Sequence, residues 1–203
     1  MQQASVIIFL KAPFAGLVKT RLARSLGDEQ ALKVYKALAA GQIERIGNRL
    51  PLEVHFAPEN AADAMLDWLG PQHSLYPQCE GDLGNRLISS IQSTYERHKG
   101  PVICIGGDCP GLNQAHLLQA AAALDTGSDL VLGPSEDGGY YLIGFRKPTP
   151  ELLQDIPWST AETLKATMQR AQELGLSTHK LETLYDVDEL PEFERAQRDG
   201  LVI

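Results

Sequence analysis

Short apolar runs alternate along this chain with longer stretches of helical periodicity. Ser5 to Leu10, Leu52 to Ala57, Val102 to Ile105, Asp129 to Gly133 and His179 to Leu184 each read as strands, being short, rich in β-branched residues and bounded by turn formers. Between the first two, Leu32, Tyr35, Leu38, Ile43 and Ile46 recur at helical spacing, predicting a helix capped by Asp28 and running to about Arg49. Further helices are predicted from Ala62 to Leu69, from the Asn85 region to His98, after an Asn113 cap, from a Ser159/Glu162 capping box to about Leu174, and from Pro191. Met65 and Trp68 read as core. Apolar residues on successive strand positions imply sheet faces covered on both sides, as in a mostly parallel sheet between helices.

The central run is PVICIGGDCPGL, Pro101 to Leu112. Asp108 stands just past the carboxyl end of that strand, where ligands bind in open α/β sheets. Gly106 and Gly107 allow close backbone approach. A carboxylate there, beside a phosphate-bearing ligand, is a natural Mg²⁺ or Mn²⁺ ligand, although Asp also simply caps turns.

At 203 residues the chain suits one domain, 1–203, with no internal repeat or linker. The formal net charge of −8 argues against a nucleic-acid or membrane surface as partner. No apolar run reaches transmembrane length, and VIIFL near the start is too short for a signal h-region. Three cysteines, Cys79, Cys104 and Cys109, have no zinc-type spacing. A reducing cytoplasm fits these features.

Four loops carry candidate chemistry. KAPFAGLVKTRL places Lys11, Lys19 and Arg21 around Gly16 at a helix start that Thr20 can cap, the outline of a phosphate cradle without a P-loop or dinucleotide fingerprint. The alternative is a solvated basic helix start. In QCEGDLGNRL, Asp82 suits an N-cap and Arg86 could reach a phosphate or ribose. In PSEDGGYYLIG, Asp137 precedes Gly138 and Gly139; it can bind hydroxyls or act as a base, and Asp-Gly also signals a hairpin. Trp158, with Thr163, could line an acceptor pocket. In YDVDELPEF, Asp186 and Asp188 share one face of an extended chain and form a second candidate metal pair.

Together KAPFAGLVKTRL, EGDLGNRL, IGGDCPGL, GPSEDGGYYLIG and YDVDELPEF resemble the bacterial glycosyltransferase-like proteins of the nucleotide-diphospho-sugar transferase superfamily. That superfamily is similar in turn to the guanylyltransferases of cofactor F420 and molybdenum-cofactor synthesis. The resemblance implies a GT-A fold, a three-layer Rossmann-like α/β sandwich with a mostly parallel central sheet. It implies phosphate binding by Lys11, Lys19 and Arg21, and metal binding by Asp108 and Asp188 with Asp186 nearby. From the residues themselves, Gly16, Thr20, Asp82, Arg86 and Gly107 complete the candidate nucleotide site, and Gly138, Gly139 and Trp158 the candidate acceptor contacts. Asp137, Lys19 and Arg21 take the catalytic roles. DVDELPEF departs from the late D-x-D-T-P-E-D block, and the first loop departs from the glycine-rich G-x-G-T-R-M form. The expected activity is metal-dependent transfer from a nucleotide-sugar to a small-molecule acceptor. Nucleotidyl transfer with release of pyrophosphate is the alternative, and a non-catalytic nucleotide-binding protein is a rival of another class.

Overall fold

The computed structural model of the chain describes residues 2–202. Seven strands form one sheet: β1 (Ser5–Lys11), β2 (Leu52–Ala57), β3 (Ser74–Pro77), β4 (Val102–Ile105), β5 (Leu130–Pro134), β6 (Tyr140–Phe145) and β7 (Thr178–Lys180), in the order β3-β2-β1-β4-β6-β5-β7. All pairings are parallel except those of β6, which runs antiparallel to β4 and β5. The helices are α1 (Thr20–Leu26), α2 (Asp28–Ile46), α3 (Ala62–Leu69), α4 (Leu83–His98), α5 (Gln114–Asp125), α6 (Thr163–Glu173) and α7 (Leu190–Arg198).

Alternation along the strands builds two cores. Val6, Ile8, Leu10, Ile103 and Ile105 pack with residues of α2, α3 and α5 on one face. Ile7, Val102 and Cys104 pack with α4 and α6 on the other. The three-layer α/β sandwich expected from the sequence is therefore present. A third apolar cluster joins Leu22 of α1, Val34 and Leu38 of α2 and Phe193 of α7 to Tyr185 and Val187. It anchors the late acidic segment beside the first loop.

Chain order reverses between β1 and β4: β1 leads outward to β2 and β3, while β4 lies on its other side. Such a switch point opens a crevice at the carboxyl ends of the strands. Several local expectations are corrected. The strand β3 was not foreseen. The first long helix starts with Asp28 rather than after it and ends at Ile46, its N-cap being Gly27. Thr20 is the first residue of α1 and caps nothing; Lys19 is the N-cap and makes no side-chain cap bond. The Ser159/Glu162 capping box does not form, because α6 begins four residues later. Ser159 has a left-handed φ of 61°. The Thr163 hydroxyl instead donates to the carbonyls of Pro157 and Thr160, both at 2.8 Å. The last predicted strand is shorter, continuing beyond Lys180 only as an isolated bridge between Leu184 and Ser135.

Candidate functional site

The acids that are remote in sequence meet. Lys19 Nζ lies 2.7 Å from Asp108 Oδ2 and 2.8 Å from Asp188 Oδ1, and the Lys19 side chain is only 6% exposed. Arg21 stands 3.7 Å from the other Asp188 oxygen. Burial disfavours the Lys19 ammonium, but the two carboxylates more than offset this and hold its pKa above the ordinary value. Asp188 is likewise partly buried, which pushes it up, yet Lys19 and Arg21 hold it below the usual carboxylate range.

The backbone brings these groups together. Lys19 takes left-handed angles, φ 46° and ψ 45°, a strained choice for a side-chain-bearing residue. Val18 beside it is buried. The Val187 N–H donates to the Asp108 carbonyl at 3.0 Å, and the Glu136 N–H donates to the Leu184 carbonyl at 2.9 Å. These bonds tie the late acidic segment to both the β4 and β5 loops. At Gly107 an added Cβ would collide with the end of the buried Leu10 side chain, so any larger residue would force Leu10 of β1 to shift.

Asp186 lies deeper. Its Oδ2 accepts from the Ser135 hydroxyl at 2.7 Å, while its Oδ1 is shielded from solvent and has no hydrogen-bond partner. Burial first, and the neighbouring charge of Asp108 second, push its pKa up to about 7. The charge of Asp137 adds to the upward push, although Asp137 lines none of the site's cavities. Asp137 itself is exposed, with one oxygen accepting from the Gly139 N–H at 2.8 Å in the turn between β5 and β6.

Three concavities adjoin. One of about 300 Å³ is lined by Lys11, Lys19, Thr20, Arg21, Tyr35, Gly107, Asp108 and Asp188 among others. A second, of about 610 Å³, opens past the ends of β2 and β3 and includes Asn60, Gln78, Cys79 and Arg86. A third, of about 150 Å³, is apolar and bordered by Phe9, Leu87, Tyr140, Tyr141 and Trp158 beside Gly106.

Other predicted positions lie outside the linings of these three concavities. The Asp82 carboxylate caps α4, accepting from the Asn85 N–H at 2.8 Å, and does not face the cavities. Gly16 makes a positive-φ turn packed near Asp28 rather than a cavity wall. Gly138 packs against the Ala161 backbone, and Gly139 closes the Asp137 turn. Neither borders the three concavities.

Sequence reasoning missed Gln42 of α2. Its side chain is fully buried, its Nε2 donates to the Gly106 carbonyl, and its Oε1 accepts from the Cys109 N–H at 3.0 Å. A glutamine on a helix carries no signal for such a contact, since the residue type is usually exposed.

The donor chemistry suits a hard divalent cation: carboxylate oxygens only, one of them the buried and unbonded Asp186 Oδ1. Among the described residues no three such side chains are already arranged as a cage.

Residues 45–160 match the sequence family described as "Uncharacterized protein conserved in bacteria (DUF2064)". The chain belongs to this family. Comparison with curated proteins gave no match. Among solved structures, a nucleotide-diphospho-sugar transferase-like protein from Desulfovibrio desulfuricans G20 shares 30% identity over 93% of this chain and 84% of its own, with a TM-score of 0.87. The inositol-1-phosphate CTP transferase of T. maritima superposes with a TM-score of 0.61 at 15% identity, covering 99% of this chain and 96% of that one. A CMP:2-keto-3-deoxy-manno-octonic acid synthetase complexed with CTP gives 0.61 at 12%, covering 98% of each. These last two establish likeness of fold. The DUF2064 chain thus has the architecture of nucleotide-handling transferases, and among its described residues no helix is long and apolar enough to cross a membrane.

Proposed function

We propose that this protein is a metal-dependent transferase that uses a nucleotide-sugar as donor and a small molecule as acceptor. The observation that carries the reading is the meeting of Asp108 and Asp188 on one buried ammonium, at the switch point of the sheet. Asp108, Asp186 and Asp188 would hold a Mg²⁺ or Mn²⁺ ion, which when bound would offset the charge developing on a departing diphosphate. Lys11, Lys19 and Arg21, all on one cavity, bind and neutralise phosphate oxygens. Gln78 and Arg86 line the larger cavity, which suits the nucleoside end. The aromatic walls of the small cavity, Tyr140 and Trp158, suit the apolar face of a sugar. Asp137, exposed in the turn between β5 and β6, orients or deprotonates the acceptor hydroxyl.

Nucleotidyl transfer is the second reading. The grouping of three cations on one cavity favours it, because that number suits a triphosphate. Incubation with a panel of nucleotide-sugars and nucleoside triphosphates separates the two. Released nucleoside diphosphate supports glycosyl transfer, and released pyrophosphate supports nucleotidyl transfer. Metal-independent nucleotide binding with no product from either panel would leave only a binding protein.

A further inference from the structure

The loop that carries Asp108 is held by a side chain that no feature of the sequence singles out. The Gln42 position belongs to the buried face of α2, with Val34, Tyr35, Leu38, Ala39 and Ile46. An apolar residue would serve packing there, and a buried amide is costly unless both of its ends are bonded. Both ends are bonded, and both to the same loop: Nε2 to the Gly106 carbonyl and Oε1 to the Cys109 N–H. The amide orientation is fixed by these partners, a carbonyl facing the NH₂ group and an N–H facing the oxygen. Gln42 therefore spans the backbone on either side of Asp108.

Apart from the Lys19–Asp108 ion pair, the remaining anchors of the loop are backbone groups. The Gly106 N–H donates to the Tyr141 carbonyl at 3.3 Å, and the Asp108 carbonyl accepts from Val187. Gln42 makes the only side-chain hydrogen bonds to backbone groups of residues 106 to 109 found among the described residues. With two glycines in the loop, the backbone there has unusual freedom, and a clamp on both sides limits it.

We infer that Gln42 is a positioning residue: it fixes the Asp108 carboxylate where it can share a cation with Asp188. The inference rests on the reading of Asp108 as a ligand-holding acid. Groups that orient metal-binding side chains typically affect metal affinity by about 10- to 100-fold when removed.

The test compares the wild type, Gln42→Met, which keeps length and apolar fit but removes both bonds, and Ile91→Ala, a core truncation in α4 on the opposite face of the sheet. Each is confirmed folded by circular dichroism and studied well below its own Tm. Mn²⁺ affinity is read by electron paramagnetic resonance. In parallel, acylation of Lys19 by an amine-reactive ester is followed by mass spectrometry, which reports whether Asp108 and Asp188 still bury the ammonium. The expected result is Mn²⁺ binding weakened about 10- to 100-fold and Lys19 labelled faster in Gln42→Met, with Ile91→Ala matching the wild type in both. Unchanged affinity and unchanged Lys19 protection in Gln42→Met would overturn the inference, as would an equal loss in Ile91→Ala. A wild type that binds no Mn²⁺ would reject the metal reading instead, and the Lys19 labelling alone would then decide the positioning role.

Discussion

Two carboxylate clusters sit in this sheet, and they are built on opposite terms. Near the start of β2, Glu53 is buried and saturated. It accepts from His55 at 3.0 Å, from Thr94 at 2.6 Å, from Arg97 at 3.0 and 2.6 Å, and from His98 at 2.9 Å. Burial pushes its pKa up, but these bonds outweigh burial and hold it well below the usual carboxylate range. At the carboxyl ends of the strands, Asp186 has one oxygen bonded and one bare, and it is pushed the other way, to about 7. The difference teaches how to separate framework from site. Where every lone pair is met, the charge holds the fold. Where an oxygen is left over beside further acids, there is capacity for a ligand.

Breaking the saturated cluster should have the largest effect. Glu53→Gln leaves Arg97 without its counter-ion, and loss of one partner of a buried ion pair costs about 3–5 kcal/mol. For a chain of this size that lowers Tm by roughly 6–20 °C. Nucleotide binding measured below that Tm should stay within about threefold of wild type, since Glu53, His55, Thr94, Arg97 and His98 line none of the three cavities. The pH sign also follows. A depressed folded-state pKa contributes stability that is present above the unfolded value of about 4.3 and lost as pH falls below it. The wild type should therefore lose stability in acid more steeply than Glu53→Gln, as read by denaturant melts between pH 6 and 3.

Next in size is Lys19→Met. Removing a cation aimed at developing phosphate charge should lower turnover by about 10²- to 10³-fold. Glu53→Gln at the same temperature should not. Equal losses in the two variants would erase the distinction drawn between the clusters.

The smallest effect sharpens the contrast by reversing its sign. A raised folded-state pKa means that stability falls as pH rises from about 4 toward 7, where Asp186 must charge while buried. Asp186→Asn removes that charge, so at pH 8 in EDTA it should raise Tm by about 2–4 °C, the equivalent of about 1 kcal/mol in a chain of this length. The same substitution should weaken Mn²⁺ binding. A fall in Tm would show that Asp186 belongs to the framework.

Much of this contrast was half visible in the sequence. The strands β1, β2 and β4 were legible because continuous β-branched runs meet a sheet covered on both faces. The positions of Asp108 and Asp188 at the carboxyl edge of the sheet were legible because each follows a readable strand, and their meeting on Lys19 agrees with that placement. The strand β3 was not, since SLYP is half exposed at the sheet edge and ends in proline. The Ser159/Glu162 pattern misled because a positive φ at Ser159 and hydroxyl bonds from Thr163 make a turn where a capping box was expected. Glu53 and Gln42 were illegible for a common reason. Each is a polar residue inside an apolar pattern, and only tertiary partners reveal what it meets. For Lys19 the sequence offered only the expectation of a phosphate-binding cation and no sign of its seat between two acids.

The central claim is that Asp108 and Asp188 act as one site. It is tested most directly by calorimetric titration of a nucleoside diphosphate into the wild type, Asp108→Asn and Asp188→Asn, each with Mn²⁺ and with EDTA. We expect saturable binding that requires Mn²⁺ in the wild type and weakens by at least about 10²-fold in both variants, the scale of a lost binding group in a preorganised site. Binding of equal strength in EDTA, or an Asp188→Asn protein that matches the wild type, would contradict it.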